Sequence, residues 1–267
     1  LDLIDTSEFG LSTAINWSTN ENEVTDLFGT ESINLSPGAS VSSRAVVGYP
    51  LGSLYGTGSQ TNPDGSFILN SNGFPQITSS PIVLGDPNPD WRGGISLSMR
   101  YKKFRLNAVL EHSEGGDFSP RTLWVLRRFG TTQETANRIT LDQPLVNYRG
   151  NTIPAGTTVR GNIKDFGGGP VLLDENWYRT GIGGGFGDNQ AYNFSIADAT
   201  FTKLRDLSLS YVIDTPLVTS IGLSDVIVSL TGRDLININK VEGIDPEINT
   251  KGVSVAQGVE YFTNPQT

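Results

Sequence analysis

Residues 94–101 alternate without a break. Ile95, Leu97, Met99 and Tyr101 fall at the odd positions, and Gly94, Ser96, Ser98 and Arg100 at the even ones. After Lys102 and Lys103 the pattern resumes. Phe104, Leu106, Ala108 and Leu110 share one parity and Arg105, Asn107 and Glu111 the other, with Val109 the one exception. Successive side chains of a strand point to opposite faces, so this period predicts two strands with one apolar and one hydrophilic face. Two residues between them predict a tight antiparallel hairpin.

The same period recurs along the chain. Phe9, Leu11, Thr13, Ile15 and Trp17 oppose Gly10, Ser12, Ala14, Asn16 and Ser18; Leu207, Leu209, Tyr211 and Ile213 oppose Asp206, Ser208 and Ser210. Val226, Val228 and Leu230 oppose Ser229, Thr231 and Arg233, and Leu1 and Leu3 read as the tail of one more strand. Between the strands, short to moderate turns (residues 5–7, 102–103 and 214–225) alternate with segments 19–90 and 113–200. Those two far exceed the ~12–15 residues usual for a loop in a compact domain. All the long connections then leave one end of the strands and all the short ones the other, which is the asymmetry of an up-and-down membrane barrel. A soluble sandwich also has alternating strands. Two features favour the barrel. Its hydrophilic faces carry small residues, as a wet lumen requires, and Trp17, Trp91, Tyr101 and Tyr211 gather at strand ends, as interfacial aromatics do.

Composition agrees with strand-and-loop material. Of 267 residues 36% are hydrophobic, below the roughly 45–50% of globular chains, while glycine (31) and proline (14) are abundant. A net charge of −9 lacks the basic footprint that nucleic-acid phosphates demand. No apolar run approaches the ~18 residues of a membrane helix, which leaves a barrel open because alternating strands average out in hydropathy. With no cysteine and only His112, disulfides, thiolate metal sites and cysteine nucleophiles are excluded. The opening "LDLIDTSEFG" reads as mid-domain sequence, so any export signal is expected elsewhere.

Four motifs in order then carry a family resemblance: "GDPNPDWRGGISLSMRYKKFRLNAVLEHSEGGDF", "RTLWVLRRFGTTQETANR", "IADATFTKLRDLSLSYVI" and "LTGRDLININKVEGIDPEIN". With "NWSTNENEVTDL" and "GYPLGSLYG…NPDGSFI" before them, the chain resembles the C-terminal barrel portion of SusC/RagA-type TonB-dependent outer-membrane transporters of Bacteroidetes. The resemblance covers nearly the whole chain. It implies an all-β fold, the antiparallel strands of part of a large transmembrane β-barrel with long extracellular loops. Residues 1–267 would be one C-terminal piece, with the plug domain, most barrel strands and the final strand outside it. It also implies import of oligosaccharides or peptides beneath a SusD-like surface lipoprotein. Energy would come from the TonB complex through the plug, and outer-membrane lipid would surround the wall. About five strands leave two open edges, costly in lipid, so other barrel sequence is expected to pair with them. The rival readings are a secreted β-sandwich carbohydrate-binding or adhesion module and a β-rich glycosidase.

The remaining motifs read first as structure. Asp86, Asn88 and Asp90 in "GDPNPD" lack the glycine and distal glutamate of a calcium loop and predict a turn. The run "GIGGGFG" at residues 181–187 has no helical periodicity after it and predicts a loop tip instead of a dinucleotide fingerprint. Carboxylates gather at Glu111, Glu114 and Asp117, beside His112, and at Glu242, Asp245 and Glu247. Glycoside hydrolysis would need such pairs, but in this acidic chain they predict solvated loops. His112 and Ser113, adjacent on a strand, point apart. No catalytic residue, metal ligand or cofactor is therefore expected. "LRRFGTTQETANR" (126–138) predicts the one short helical stretch. In the long loop Trp124, Trp177, Tyr178 and Tyr192 are the candidates for substrate contact, with packing of the loop as their alternative role.

Overall fold

The computed structural model describes residues 1–36, 40–180, 190–224, 226–241, 243–247 and 257–262. Strands far outnumber helical residues among the described residues, and the chain divides into two compact units. The first, here the sheet unit, comprises Leu1–Glu21, Pro89–Gly115 and Ala199–Lys240; the second, the loop unit, comprises Asn22–Asn88, Gly116–Asp198 and Val241–Thr267.

The sheet unit is a single six-stranded sheet: β1 (Asp2–Asp5), β2 (Phe9–Ser18), β3 (Trp91–Tyr101), β4 (Phe104–Glu114), β5 (Phe201–Ile213) and β6 (Val226–Asn239). Neighbours in sequence are neighbours in space, and every pairing is antiparallel. Among the described residues the sheet does not close on itself. The chain leaves it after β2, β4 and β6 and returns at β3 and β5, all at one end of the strands, as the connection lengths predict.

Register turns the alternation into rows. Leu11, Met99, Leu106, Leu209 and Leu230 lie opposite one another across five strands, and so do Ile15, Ile95, Leu110, Leu204 and Ile236. One residue over, Ser12, Ser98, Asn107, Ser208 and Thr231 form a hydrophilic row. The Ser98 hydroxyl donates to Asn107 Oδ1 (2.8 Å), Asn107 Nδ2 donates to Ser208 (3.5 Å), and the Ser210 and Ser229 hydroxyls share a bond of 3.0 Å. The apolar rows are uncovered as well, with Leu230 77% and Ile15 70% exposed.

β6 runs six residues past the Arg233 limit that alternation predicts, and β5 begins upstream of the predicted Asp206. A bulge hides both extensions. Arg205 intervenes between Leu204 and Asp206, while Asp234 and Leu235 intervene between their partners Ile236 and Arg233. Asp234 takes a positive φ of 48°, and the extra residue of β5 reverses that strand's parity, so that Leu204 shares the face of Leu207 and Leu209. The bulge leaves Leu204 and Ile236 in an apolar row. It also sets Arg205 against Glu111, its Nε donating to Oε2 at 2.6 Å, and 3.5 Å from Asp234.

At the short-turn end, Lys102 takes a positive φ (52°) in the two-residue tip. Arg100 ties this tip to the β1–β2 turn, donating to Asp5 Oδ1 (3.0 Å) and to the carbonyls of Thr6 (2.9 Å) and Ser7 (3.1 Å). Lys103 bonds Asp214 just beyond β5. A short helix, Pro216–Ser220, comes next. No helix among the described residues is long and apolar enough to cross a membrane, which says nothing of crossing by strands.

Candidate functional site

The loop unit builds a core from residues far apart in sequence. It holds a four-stranded sheet (Ser32–Ser36, Ser42–Val46, Ser53–Gly56, Ile82–Gly85) and several two- and three-stranded ribbons. It also contains helices α1 (Arg121–Phe129), α2 (Gln133–Ala136) and α3 (Glu175–Thr180). The single helical stretch expected over 126–138 is thus corrected. It starts five residues earlier and is split at Gly130, whose φ of 71° closes α1 as a left-handed C-cap. α3 and the Pro216–Ser220 helix were not foreseen, being too short to show a 3.6-residue period.

All four candidate aromatics are buried. Trp177 and Tyr178 pack with Phe74, Phe166 and Ala191, and Trp177 meets the Phe74, Phe166 and Phe194 rings at 5.5–5.7 Å between centroids. Trp124 stacks on Tyr192 (5.6 Å, 16° between planes) in a second cluster with Val41 and Leu54. Their apolar area therefore joins three sequence-distant stretches of chain. Trp124 Nε1 is buried without a hydrogen-bond partner. Burial pushes the pKa of the Tyr178 phenol well up, aided by the nearby Glu134 charge, so it stays a neutral hydroxyl at physiological pH. That hydroxyl donates to Glu134 Oε1 (3.1 Å) and accepts from Asn162 Nδ2 (2.8 Å).

The acidic motifs find structural partners. Asp86 accepts from the Asn88 backbone N–H (2.9 Å) and Nδ2 (2.6 Å), the side-chain turn that "GDPNPD" predicts. Glu111 is held by Arg205, Glu114 lies 3.0 Å from His112 Nε2, and Asp117 accepts from the Asp86 N–H at 3.0 Å. Asp245 is buried and accepts from the Glu247 N–H (3.0 Å). His112 pairs with Gly93 and Ser113 with Arg92 on β3, so they sit on opposite faces. The glycine run 181–187 and Glu242 lie outside the described residues.

The loop unit also encloses a cleft of about 390 Å³ between the end of α1, α3 and the strand Thr158–Arg160. Arg127, Arg128, Arg160 and Arg179 line it, together with Phe129 and Tyr178. Arg127 and Arg128 fall in the stretch 126–138 read from sequence as helical. The convergence of Arg160 and Arg179 on the first two depends on tertiary packing.

An antiparallel single-layer sheet with one apolar and one hydrophilic face, its long connections all at one end, is a piece of the wall of a large β-barrel. The comparisons with known proteins agree. No family model matches the chain. It is 24% identical over 274 residues, 92% of this chain, to the TonB-dependent receptor P3 of Formosa agariphila. Two solved structures share its fold: that of the RagAB peptide transporter (TM-score 0.56, 19% identity) and that of the RagAB peptide importer in an "open-open" state (TM-score 0.57, 17% identity), each over 97% of this chain. These likenesses are consistent with the SusC/RagA-like segment read from the motifs. The chain spans about a quarter of the length of these relatives: 24% of the receptor and 26% of each RagAB chain.

Proposed function

We propose that the chain is the C-terminal wall-and-loop portion of a TonB-dependent importer in the outer membrane, working on oligosaccharides or peptides. The observation that carries this reading is the uncovered apolar face. Large aliphatic side chains from five consecutive strands stand exposed in aligned rows, an arrangement that is costly in water and favourable against lipid. The dimensions agree. Trp91 and Tyr101, at either end of β3, are separated by about 34 Å along the strand. At a tilt of about 40° this is about 26 Å along the membrane normal, near the ~25 Å apolar band of outer-membrane barrels. Open edges at β1 and β6 would pair with further wall strands, since unpaired backbone does not survive in lipid.

On this reading the Lys102–Lys103 tip lies in the periplasm and the loop unit at the cell surface, where a SusD-like lipoprotein would close over it. The plug and its TonB contact would belong to other parts of the protein. The chain performs no bond chemistry. Trp124, Trp177, Tyr178 and Tyr192 would serve substrate recognition by holding the loop unit in shape. Cysteine substitutions test the placement, because the chain has no cysteine of its own. A membrane-impermeant thiol reagent applied to intact cells should label Gly156→Cys and leave Lys102→Cys unlabelled. The reverse pattern would refute the topology.

A further inference from the structure

Taking the import reading as its basis, we infer that the arginine-lined cleft is a recognition site for a carboxylate carried by the incoming oligomer. At about 390 Å³ it falls within the ~300–1,000 Å³ range of small-ligand pockets. Its charge runs against that of the molecule. Arg127, Arg128, Arg160 and Arg179 face Asp174 and Glu175, a lining of 4 − 2 = +2 in a chain of net −9, still positive when the adjoining Glu134 is included.

Three of the guanidiniums are already oriented. Arg127 donates through Nε to Glu134 (2.8 Å), and Arg179 through Nη1 to Glu175 (2.7 Å). Arg160 donates through Nε to the Thr135 carbonyl (2.5 Å) and through Nη2 to the Gly130 carbonyl. A guanidinium has five N–H donors in a rigid fork. Each of these three uses only part of its set, so fixing the side chain leaves donors for a ligand and lowers the entropy lost on binding.

The cleft's acids are engaged as well. Asp174 accepts from Asn147 Nδ2 (2.8 Å) and from the Asn176 N–H (2.9 Å) and Nδ2 (3.1 Å), and Glu134 accepts from Arg127 and Tyr178. Forked donors match the planar carboxylate in bidentate fashion. Phe129, 73% exposed on the cleft's lining, offers an aromatic face to the C–H surface beside that group. Acid sugars and acidic peptides share this chemistry.

The test is equilibrium binding to the whole detergent-purified transporter. Four probes form two pairs: an oligogalacturonate with its neutral oligogalactose counterpart, and a glutamate-containing peptide with its glutamine counterpart. One acidic probe should bind about tenfold tighter than its neutral partner, the scale of one charge-assisted hydrogen bond, and the preference should shrink with salt. The pair that shows the preference identifies the source of the carboxylate. Arg179→Gln and Arg127→Gln should each remove most of it. Glu175→Gln, which keeps an acceptor for Arg179 but removes a negative charge that competes with the ligand, should strengthen acidic binding, a gain that misfolding cannot produce. The inference is overturned if neither pair shows a preference, or if the preference survives the double Arg127→Gln, Arg179→Gln substitution. Binding preference without uptake would refute the import reading alone; uptake without preference would refute this inference alone.

Discussion

Helix α1 begins without a cap of its own. Pro120 at the N-cap supplies no side-chain hydrogen bond, and the first turn holds no acidic residue, although the first four N–H groups of any helix need partners. The partner lies 138 residues downstream of Thr122. Glu260, fully buried, accepts from the Thr122 N–H at 3.1 Å and from the Thr122 hydroxyl at 2.6 Å. Its strand, Val259–Glu260, pairs in parallel with Asp117–Pro120, the segment that leads into the helix. A carboxylate here meets the positive end of the helix dipole, worth up to about 2 kcal/mol when partly buried, and fills the role of a cap, worth about 0.5–2 kcal/mol. Glu260→Gln keeps the shape and one acceptor but loses the charge, so it should cost about 1–2 kcal/mol. Glu260→Ala leaves the half-buried Thr122 N–H and hydroxyl without their carboxylate acceptor and should cost about 3 kcal/mol. Hydrogen exchange of the intact protein in detergent reads this locally. Amides of residues 121–129 should exchange about 5–30-fold faster in Glu260→Gln, and faster still in Glu260→Ala, while amides of 94–101 hold their protection. Unchanged exchange over 121–129 in both variants would refute the reasoning, as would equal loosening of β3.

On the apolar face, Leu209→Arg near the middle of β5 should cost roughly 2–4 kcal/mol and Ser208→Arg much less, measured as loss of the heat-modifiable barrel band on a gel. Trp177→Ala should destabilise the loop unit by about 3–5 kcal/mol and speed exchange over 162–173 whether or not substrate is present; an effect seen only with substrate would restore direct contact as its role. The Lys103–Asp214 pair lies at the short-turn end, beyond the wall strands, and each partner shifts the other through its hydrogen bond, Asp214 downward from 3.8 and Lys103 upward from 10.5. A lowered acid stabilises above its unfolded pKa and fails as pH falls through the folded one; a raised base stabilises below its unfolded pKa and fails as pH rises through the folded one. The melting temperature of Asp214→Asn should therefore trail the parent's evenly across neutral pH, with the gap closing only below about pH 3.8 or above about pH 10.5.

The wall was legible because each strand reports its own two faces. Ile95 to Tyr101 and Phe104 to Leu110 needed no partner to show the period, and Lys102–Lys103 marked the turn. Legibility failed at Arg205 and at Asp234–Leu235, where one strand's extra residue can be recognised only against its neighbour. The loop unit was nearly opaque for a related reason. Its structure rests on pairings such as Trp124 with Tyr192 and Thr122 with Glu260, whose separation in sequence leaves no local pattern. The buried state of the four aromatics and the meeting of four arginines are products of those pairings. "GDPNPD" was readable because Asp86 caps the N–H of Asn88, two residues along, and so forms its turn without outside help.

The loop unit is assembled from three stretches, Asn22–Asn88, Gly116–Asp198 and Val241–Thr267, each separated from the next by a pair of wall strands. Its helix α1 is capped from the third stretch, and its two aromatic clusters join the first with the second. During biogenesis, then, the loop unit cannot mature piecemeal as each loop emerges. The aromatic clusters must wait for β3 and β4 to be laid down and the cap of α1 for β5 and β6, because loop closure on this scale precedes any reward from contact. Until their partners arrive, the rings of Trp124, Trp177 and Phe74 are uncovered and open to wrong partners. The loop unit is thus completed only after both intervening strand pairs, when Glu260 arrives to cap α1.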